Sequence, residues 1–204
     1  MPRRAPTVLL FDIDGTLVTT PGVGRRALER VFLARYGRCT DLMAAPQGVT
    51  DRGLVRSGLA AIGAPADGPA GEAEITALLD DYLPVLSDEI DRAADGFALH
   101  RGVADLLEAL ADEPAVALGL GTGNVRPGAR IKLERVGIFS RFAFGGFGCD
   151  HEVRGEILRI GAARGARSLG LTPAECRVVV IGDTPLDVAA ARAIGAESVA
   201  VATC

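Results

Sequence analysis

A chain of 204 residues can bury one well-packed core, or a core carrying an insertion, and is short for several independent domains. With 49% hydrophobic residues and a formal net charge of -4 its composition is that of an ordinary globular protein, without the basic excess that nucleic acid would attract. The longest apolar runs are strand-length and the N-terminus carries no long apolar segment, so no membrane partner, no signal peptide and a cytoplasmic location are expected.

In chain order, the first predicted element is the strand Thr7–Phe11, which runs into "DIDGTLV". Residues two apart on a strand face the same side, so Asp12 and Asp14 start out together where the strand meets its turn. Carboxylates that close repel unless a cation lies between them or one keeps its proton. A turn-forming Asp pair, with Gly15 at an unusual backbone angle, is the alternative, and it leaves the apolar strand unexplained. The carboxyl ends of parallel strands are where open α/β sheets bind ligands, which favours a site.

About a hundred residues separate this strand from the next, far more than the dozen or so of one βαβ crossover. The insertion is helical in period. Val23 to Tyr36 carries Ala27, Val31 and Ala34; Leu54, Val55, Leu59 and Ile62 repeat the pattern, as do Ile75, Leu78, Leu79, Tyr82 and Leu86. Pro84 is expected to kink or end the last of these helices. "GAPADGPAGE" reads as a connector, and "RGVADLLEAL" returns the chain to the core. The expected division is a core of 1–18 and 97–204 and a helical domain of 19–96, with hinges near Val18–Pro21 and Ala94–His100.

The remaining predicted strands are Ala115–Gly121, Phe142–Gly146, Arg177–Ile181 and Ser198–Ala202, alternating with helical segments as in a parallel sheet covered on both faces. The second ends in "GLGTGN", whose glycines do not have dinucleotide spacing. Thr122 and Asn124 there offer a hydroxyl, an amide and a helix N-terminus to an anion, unless Asn124 merely caps its helix. After the fourth strand "GDTPLD" places Asp183 at the strand end and Asp187 in the first turn of a helix. If the first and fourth strands are neighbours, Asp12, Asp14, Asp183 and Asp187 converge. A set of hard oxygens without His or Cys suits Mg²⁺. Cys39, Cys149, Cys176 and Cys204 show no metal or redox spacing and read as ordinary thiols.

"DIDGT", "TGN" and "GDTPLD", in this order after successive strands, resemble the haloacid dehalogenase-like (HAD) hydrolase superfamily, in its phosphoglycolate phosphatase-like and β-phosphoglucomutase-like branch, from about Val8 to Thr203. The resemblance implies an α/β fold: a Rossmann-like parallel-sheet core with an inserted all-helical cap domain. It implies a Mg²⁺-dependent phosphatase that hydrolyses a small organic phosphomonoester through an aspartyl-phosphate, as a monomer or homodimer. Asp12 would be the nucleophile and Asp14 the general acid and base. Mg²⁺ would be held by the Asp12 carboxylate, the Asp14 backbone carbonyl and Asp183, with Asp187 in support. Thr122, Gly123 and Asn124 would hold the phosphoryl oxygens.

One motif departs from the family. Many relatives carry a lysine before a proline after the third strand, and this chain reads "GGFGCDHEVRGEIL". Arg outnumbers Lys 21 to 1, so the single lysine, Lys132, is taken as the charge-neutralising residue, with Arg154 as the other candidate. The chain also stops soon after its last strand, where relatives usually continue with a glycine turn and a helix. In the cap, "QGVTDRGLV" resembles a loop that faces the active site, so Thr50, Asp51 and Arg52 are candidate substrate residues, Arg52 toward a substrate carboxylate such as that of phosphoglycolate. Helix capping by Thr50 or Asp51 is the alternative. Asp14 argues against a dehalogenase and the lack of a cap lysine against a phosphonatase. A phosphosugar mutase shares every motif, and a non-catalytic binding protein would leave the acidic cluster unexplained.

Overall fold

The computed structural model describes residues 5–38 and 41–202; Cys39, Thr203 and Cys204 lie outside them. The elements follow as β1 (Thr7–Phe11), β2 (Val18–Thr19), α1 (Val23–Tyr36), α2 (Asp51–Ala61), α3 (Gly68–Arg92), β3 (Ala98–Leu99), α4 (Val103–Ala111), β4 (Val116–Gly121), α5 (Arg126–Arg135), β5 (Phe144–Gly146), α6 (Arg154–Ser168), β6 (Arg177–Gly182), α7 (Pro185–Ala193) and β7 (Glu197–Ala200). Five strands form a parallel sheet in the order β5-β4-β1-β6-β7, while β2 and β3 pair antiparallel as a two-residue ribbon where the chain leaves and re-enters the core.

Alternation along β1 decides its two faces. Val8 and Leu10 join Leu158, Ala162, Val180 and Ala191 beneath α6 and α7. Phe11 points the other way and packs edge-on against Phe142, with ring centroids 5.9 Å apart, in a cluster continuous with the helices of the insertion. Phe142 is thus a packing residue ahead of β5, which starts two residues later than the apolar run suggests because the chain first makes a 3₁₀ turn at Phe139–Arg141.

α1 runs between Gly22 and Gly37, both with positive φ. Of the two outcomes expected at Pro84, the helix end is not found: α3 passes through it, over 25 residues. Pro84 removes the bond to the Asp80 carbonyl, but both residues are exposed, so water satisfies that group. Ile75, Leu78, Leu79 and Tyr82 before the proline and Leu86 and Ile90 beyond it keep one face of the helix buried on both sides of Pro84. No helix among the described residues is long and apolar enough to cross a membrane. Cys149 and Cys176 are free thiols.

Candidate active site

The sheet register brings the site together. Phe11 lies opposite Leu120 on β4 and Ile181 on β6, so the three chains leave the sheet at one edge carrying Asp12, Thr122 and Asp183. The Asp12 N–H donates to the Ile181 carbonyl at 2.9 Å, and the Gly15 N–H to that of Val18 at 2.9 Å, which closes the turn after β1. Gly15 has φ +78° and faces Asp183, whose carboxylate any Cβ would strike, so both conformation and space require glycine.

The two motif aspartates are separated electrostatically. Asp12 is buried, with Arg154 at 2.9 Å, and the same guanidinium also pairs with Asp187. Burial pushes the Asp12 carboxyl up to about 6; Arg154 opposes the rise, and Asp187 and Asp14 add to it. Asp14 turns toward Lys132, whose ammonium reaches both carboxylate oxygens at 2.7 and 2.8 Å and the Asn124 side-chain oxygen at 2.7 Å. The Asn124 amide also donates to Asp14 at 2.7 Å. Burial acts to raise the Asp14 carboxyl, but Lys132 and Asn124 outweigh it and hold it below its ordinary value.

One oxygen from each of Asp12, Asp183 and Asp187 lies within 4.8 Å of the others. Asp187 forms a capping box with Thr184, accepting from its hydroxyl at 2.6 Å and its N–H at 3.1 Å, and its second oxygen, paired with Arg154, has no hydrogen-bond partner among the described residues. Asp183 accepts from the Thr16 hydroxyl at 3.1 Å; burial raises its carboxyl and Thr16 opposes this. The three carboxylates fit a hard divalent cation of the Mg²⁺ type. The Asp14 side chain is outside that group.

Thr122 is fully buried and its hydroxyl oxygen accepts from the Asn124 side chain at 2.9 Å, leaving its own proton free to donate. A cavity of about 480 Å³ opens on Asp12, Asp14, Gly123, Asn124, Lys132 and Arg154 and continues past Met43, Gln47 and Val49 of the insertion. The Arg154 guanidinium donates to the Gly48 carbonyl at 3.2 Å, so the loop before α2 sits on the site.

Structure thus divides the two cations otherwise than expected: Arg154 reaches the would-be nucleophile Asp12, and Lys132 serves Asp14. The three cap candidates also separate. Thr50 caps α2 by accepting from Gly53 N–H at 3.0 Å. Asp51 faces the cavity, with its carboxyl raised to about 6 by burial against the opposing Lys132 ammonium and Val125 N–H. Arg52 points away from the cavity and pairs with Glu72 and, at 3.4 Å, Glu152, which leaves no structural support for a carboxylate-reading role.

Several contributors carried no distinct sequence signal. Arg25 donates to the carbonyls of Met43, Ala45 and Pro46 at 2.8, 2.6 and 2.7 Å, fixing the loop over the cavity. The buried Tyr82 hydroxyl has no partner among the described residues. Thr16 follows Gly15 directly, and its place in the quoted motif was the available clue.

The haloacid dehalogenase-like hydrolase family model matches residues 9–192. No curated protein sequence matches. Among solved structures the chain is similar to CbbY from Rhodobacter sphaeroides in complex with phosphate, with 21% identity, a TM-score of 0.66, and coverage of 95% of this chain and 84% of that one. It is also similar to a protein from Lactobacillus plantarum assigned as a phosphoglycolate phosphatase, at 20% identity and TM-score 0.62 over 95% and 84% of the two chains. A third, from Thermotoga maritima, is assigned as a beta-phosphoglucomutase, at 21% identity and TM-score 0.57 over 96% and 85%. Likeness at this identity establishes the shared fold.

Proposed function

Because the chain belongs to the haloacid dehalogenase-like hydrolases, we propose that it is a Mg²⁺-dependent phosphatase of small organic phosphomonoesters, working through an aspartyl-phosphate. The observation that carries this reading is the electrostatic separation of two carboxylates only two residues apart, one raised to about 6 beside Arg154 and the other held low by Lys132. Two neighbouring carboxyls in opposed environments suit two different roles.

An oxygen of Asp12 attacks phosphorus while the bond to the leaving alcohol breaks, and Asp14 delivers a proton to that alcohol. Asp14 then takes a proton from a water, the water oxygen attacks phosphorus, and Asp12 is released with inorganic phosphate. Each half is easier than direct hydrolysis. In the resting site Lys132 keeps Asp14 ionised, the form the second half uses; a phosphate dianion arriving beside Asp12 raises the proton affinity of Asp14 for the first. Arg154, Thr122, Gly123 and Asn124 hold the phosphoryl oxygens as charge develops on them. Asp12, Asp183 and Asp187, with the Asp14 carbonyl, would hold Mg²⁺, which supplies charge neutralisation at the phosphoryl group. Residues 19–96 act as the cap, the β2–β3 ribbon as its strap, and loop 46–50 excludes bulk water from Asp12.

The test is release of inorganic phosphate from a panel of phosphomonoesters, phosphoglycolate and sugar phosphates included, with Mg²⁺ or with chelator. Release that needs Mg²⁺ and disappears in Asp12→Asn is expected. Isomerised sugar phosphate without free phosphate would make the chain a mutase, and no reaction across a broad panel would refute turnover at this site.

A further inference from the structure

Asp51 is the first residue of α2, yet its N–H and its side chain both bond to the core. Its N–H donates to the Gly123 carbonyl at 2.9 Å and its carboxylate accepts from the Val125 N–H at 2.9 Å. One residue of the insertion therefore engages the backbone on either side of Asn124, in the turn that joins β4 to α5. The helix does not need Asp51 as its cap, because Thr50 holds that position. Nor is Asp51 placed to receive a phosphoester: an anionic carboxylate already committed to Val125 would repel a phosphate dianion.

The geometry around this contact is close-fitting. A Cβ on Gly123 would come within 3.0 Å of the Thr50 backbone, so the two segments approach as nearly as glycine allows. A second directional tie, from the Arg154 guanidinium to the Gly48 carbonyl, is longer at 3.2 Å, and the remaining ties are of other kinds. Arg56 and Glu152 pair at 2.6 Å in a partly exposed setting, and Tyr82 and Leu86 of α3 rest on Gly128 of α5 through apolar contact, which has no directional preference. The ribbon that leads into the insertion is only two residues wide on each side. A body attached by a narrow strap and a non-directional face is positioned by its directional contacts.

We propose that Asp51 is a positioning residue, the latch that registers the insertion on the 123–125 turn and so sets closure of loop 46–50 over Asp12 together with the orientation of Asn124 toward Asp14 and Lys132. The kinetic part of this inference rests on the phosphatase reading; the structural part does not. In Asp51→Ala the acceptor is lost and the Val125 N–H is orphaned, whereas Asn keeps an acceptor oxygen in the same place.

Hydrogen exchange followed by mass spectrometry on the full chain tests it, with p-nitrophenyl phosphate and Mg²⁺ as the kinetic probe. Asp51→Ala should exchange on the order of tenfold faster in peptides spanning 47–54 and 122–127 while β1 and β6 keep wild-type rates, and its KM should rise by more than its kcat falls. Asp51→Asn should stay near wild type in both readouts. Arg56→Gln, which breaks an ion pair on the same side, should leave the 122–127 peptides unchanged. Unaltered exchange in Asp51→Ala, acceleration spread equally into β1 and β6, an Asn variant as damaged as Ala, or equal opening by Arg56→Gln would each overturn the latch. If the wild type does not hydrolyse the probe, the phosphatase reading is what suffers, and the exchange pattern still decides the latch.

Discussion

Asp12→Asn should make the metal-free protein more stable while abolishing turnover. The Asp12 carboxyl is buried and raised from 3.8 to about 6. The folded chain therefore binds this proton more tightly than the unfolded chain. Below pH of about 4 both states are protonated and the site costs nothing; as pH rises through about 6 the folded state must hold an ionised buried group. A shift of about two units corresponds to about 3 kcal/mol as a ceiling. Asparagine is neutral throughout, but it also ends the pairing with Arg154, which keeps Asp187. A net gain of about 1–3 kcal/mol, or roughly 3–10 °C in Tm for a chain of this size, is expected above pH of about 7. It should vanish near pH of about 4. Calorimetry in chelator at several pH values measures it. Added Mg²⁺ should close the gap by stabilising the wild type, since an ion that binds only the folded carboxylates raises its Tm. A variant that melts at or below wild type at neutral pH, or whose gain is the same in acid, would refute the reasoning.

Lys132→Met removes the ammonium from Asp14, leaving it Asn124 and Thr20, and should lower kcat by about 100-fold or more, and Lys132→Arg should not restore it because the single ammonium reaches both Asp14 oxygens and the Asn124 oxygen at once, a geometry a planar guanidinium fork does not reproduce; steady-state kinetics decide both. Arg154→Met leaves Asp12 and Asp187 without their buried counter-charge and should destabilise the metal-free fold by about 3–5 kcal/mol, a loss that thermal melts should show partly recovered in Mg²⁺. Gly119→Val drives a side chain into the Phe144 ring on β5 and should cost about 1–3 kcal/mol or more in chemical denaturation, with kcat per folded molecule unchanged, since Gly119 lies away from the site.

The fold was legible where the local pattern and the tertiary environment agree. Thr7–Phe11 and Val23–Tyr36 match residue for residue, the first because its apolar run is buried on both faces, the second because glycines bound it. Pro84 does not end α3, because Asp80 is exposed and apolar residues on both sides of the proline are buried, features that a local rule cannot see. The meeting of Asp12, Asp183 and Asp187 was legible because chain ends of adjacent parallel strands must share an edge, while the turn of the Asp14 side chain toward Lys132 was not. The partition of the cations was not. Lys132 lies on the buried side of α5 with Gly128, Ala129 and Leu133, a helical stripe that could have marked it as inward. Only the crossing of α5 and α6 over the sheet decides that it meets Asp14 while Arg154 meets Asp12. Arg52 lies outside the cavity for a simpler reason: consecutive helix residues differ in direction by about 100°, so with Asp51 turned to the core its neighbour pairs with Glu72 and Glu152 instead.

Trapping the covalent intermediate tests the central claim most directly. Borohydride reduction of enzyme quenched during turnover converts an aspartyl-phosphate to homoserine, and peptide mapping then locates it. Homoserine at residue 12, formed only with substrate and Mg²⁺, is the predicted result. Homoserine at Asp14 or Asp183, or none at any aspartate while phosphate is being released, would contradict it.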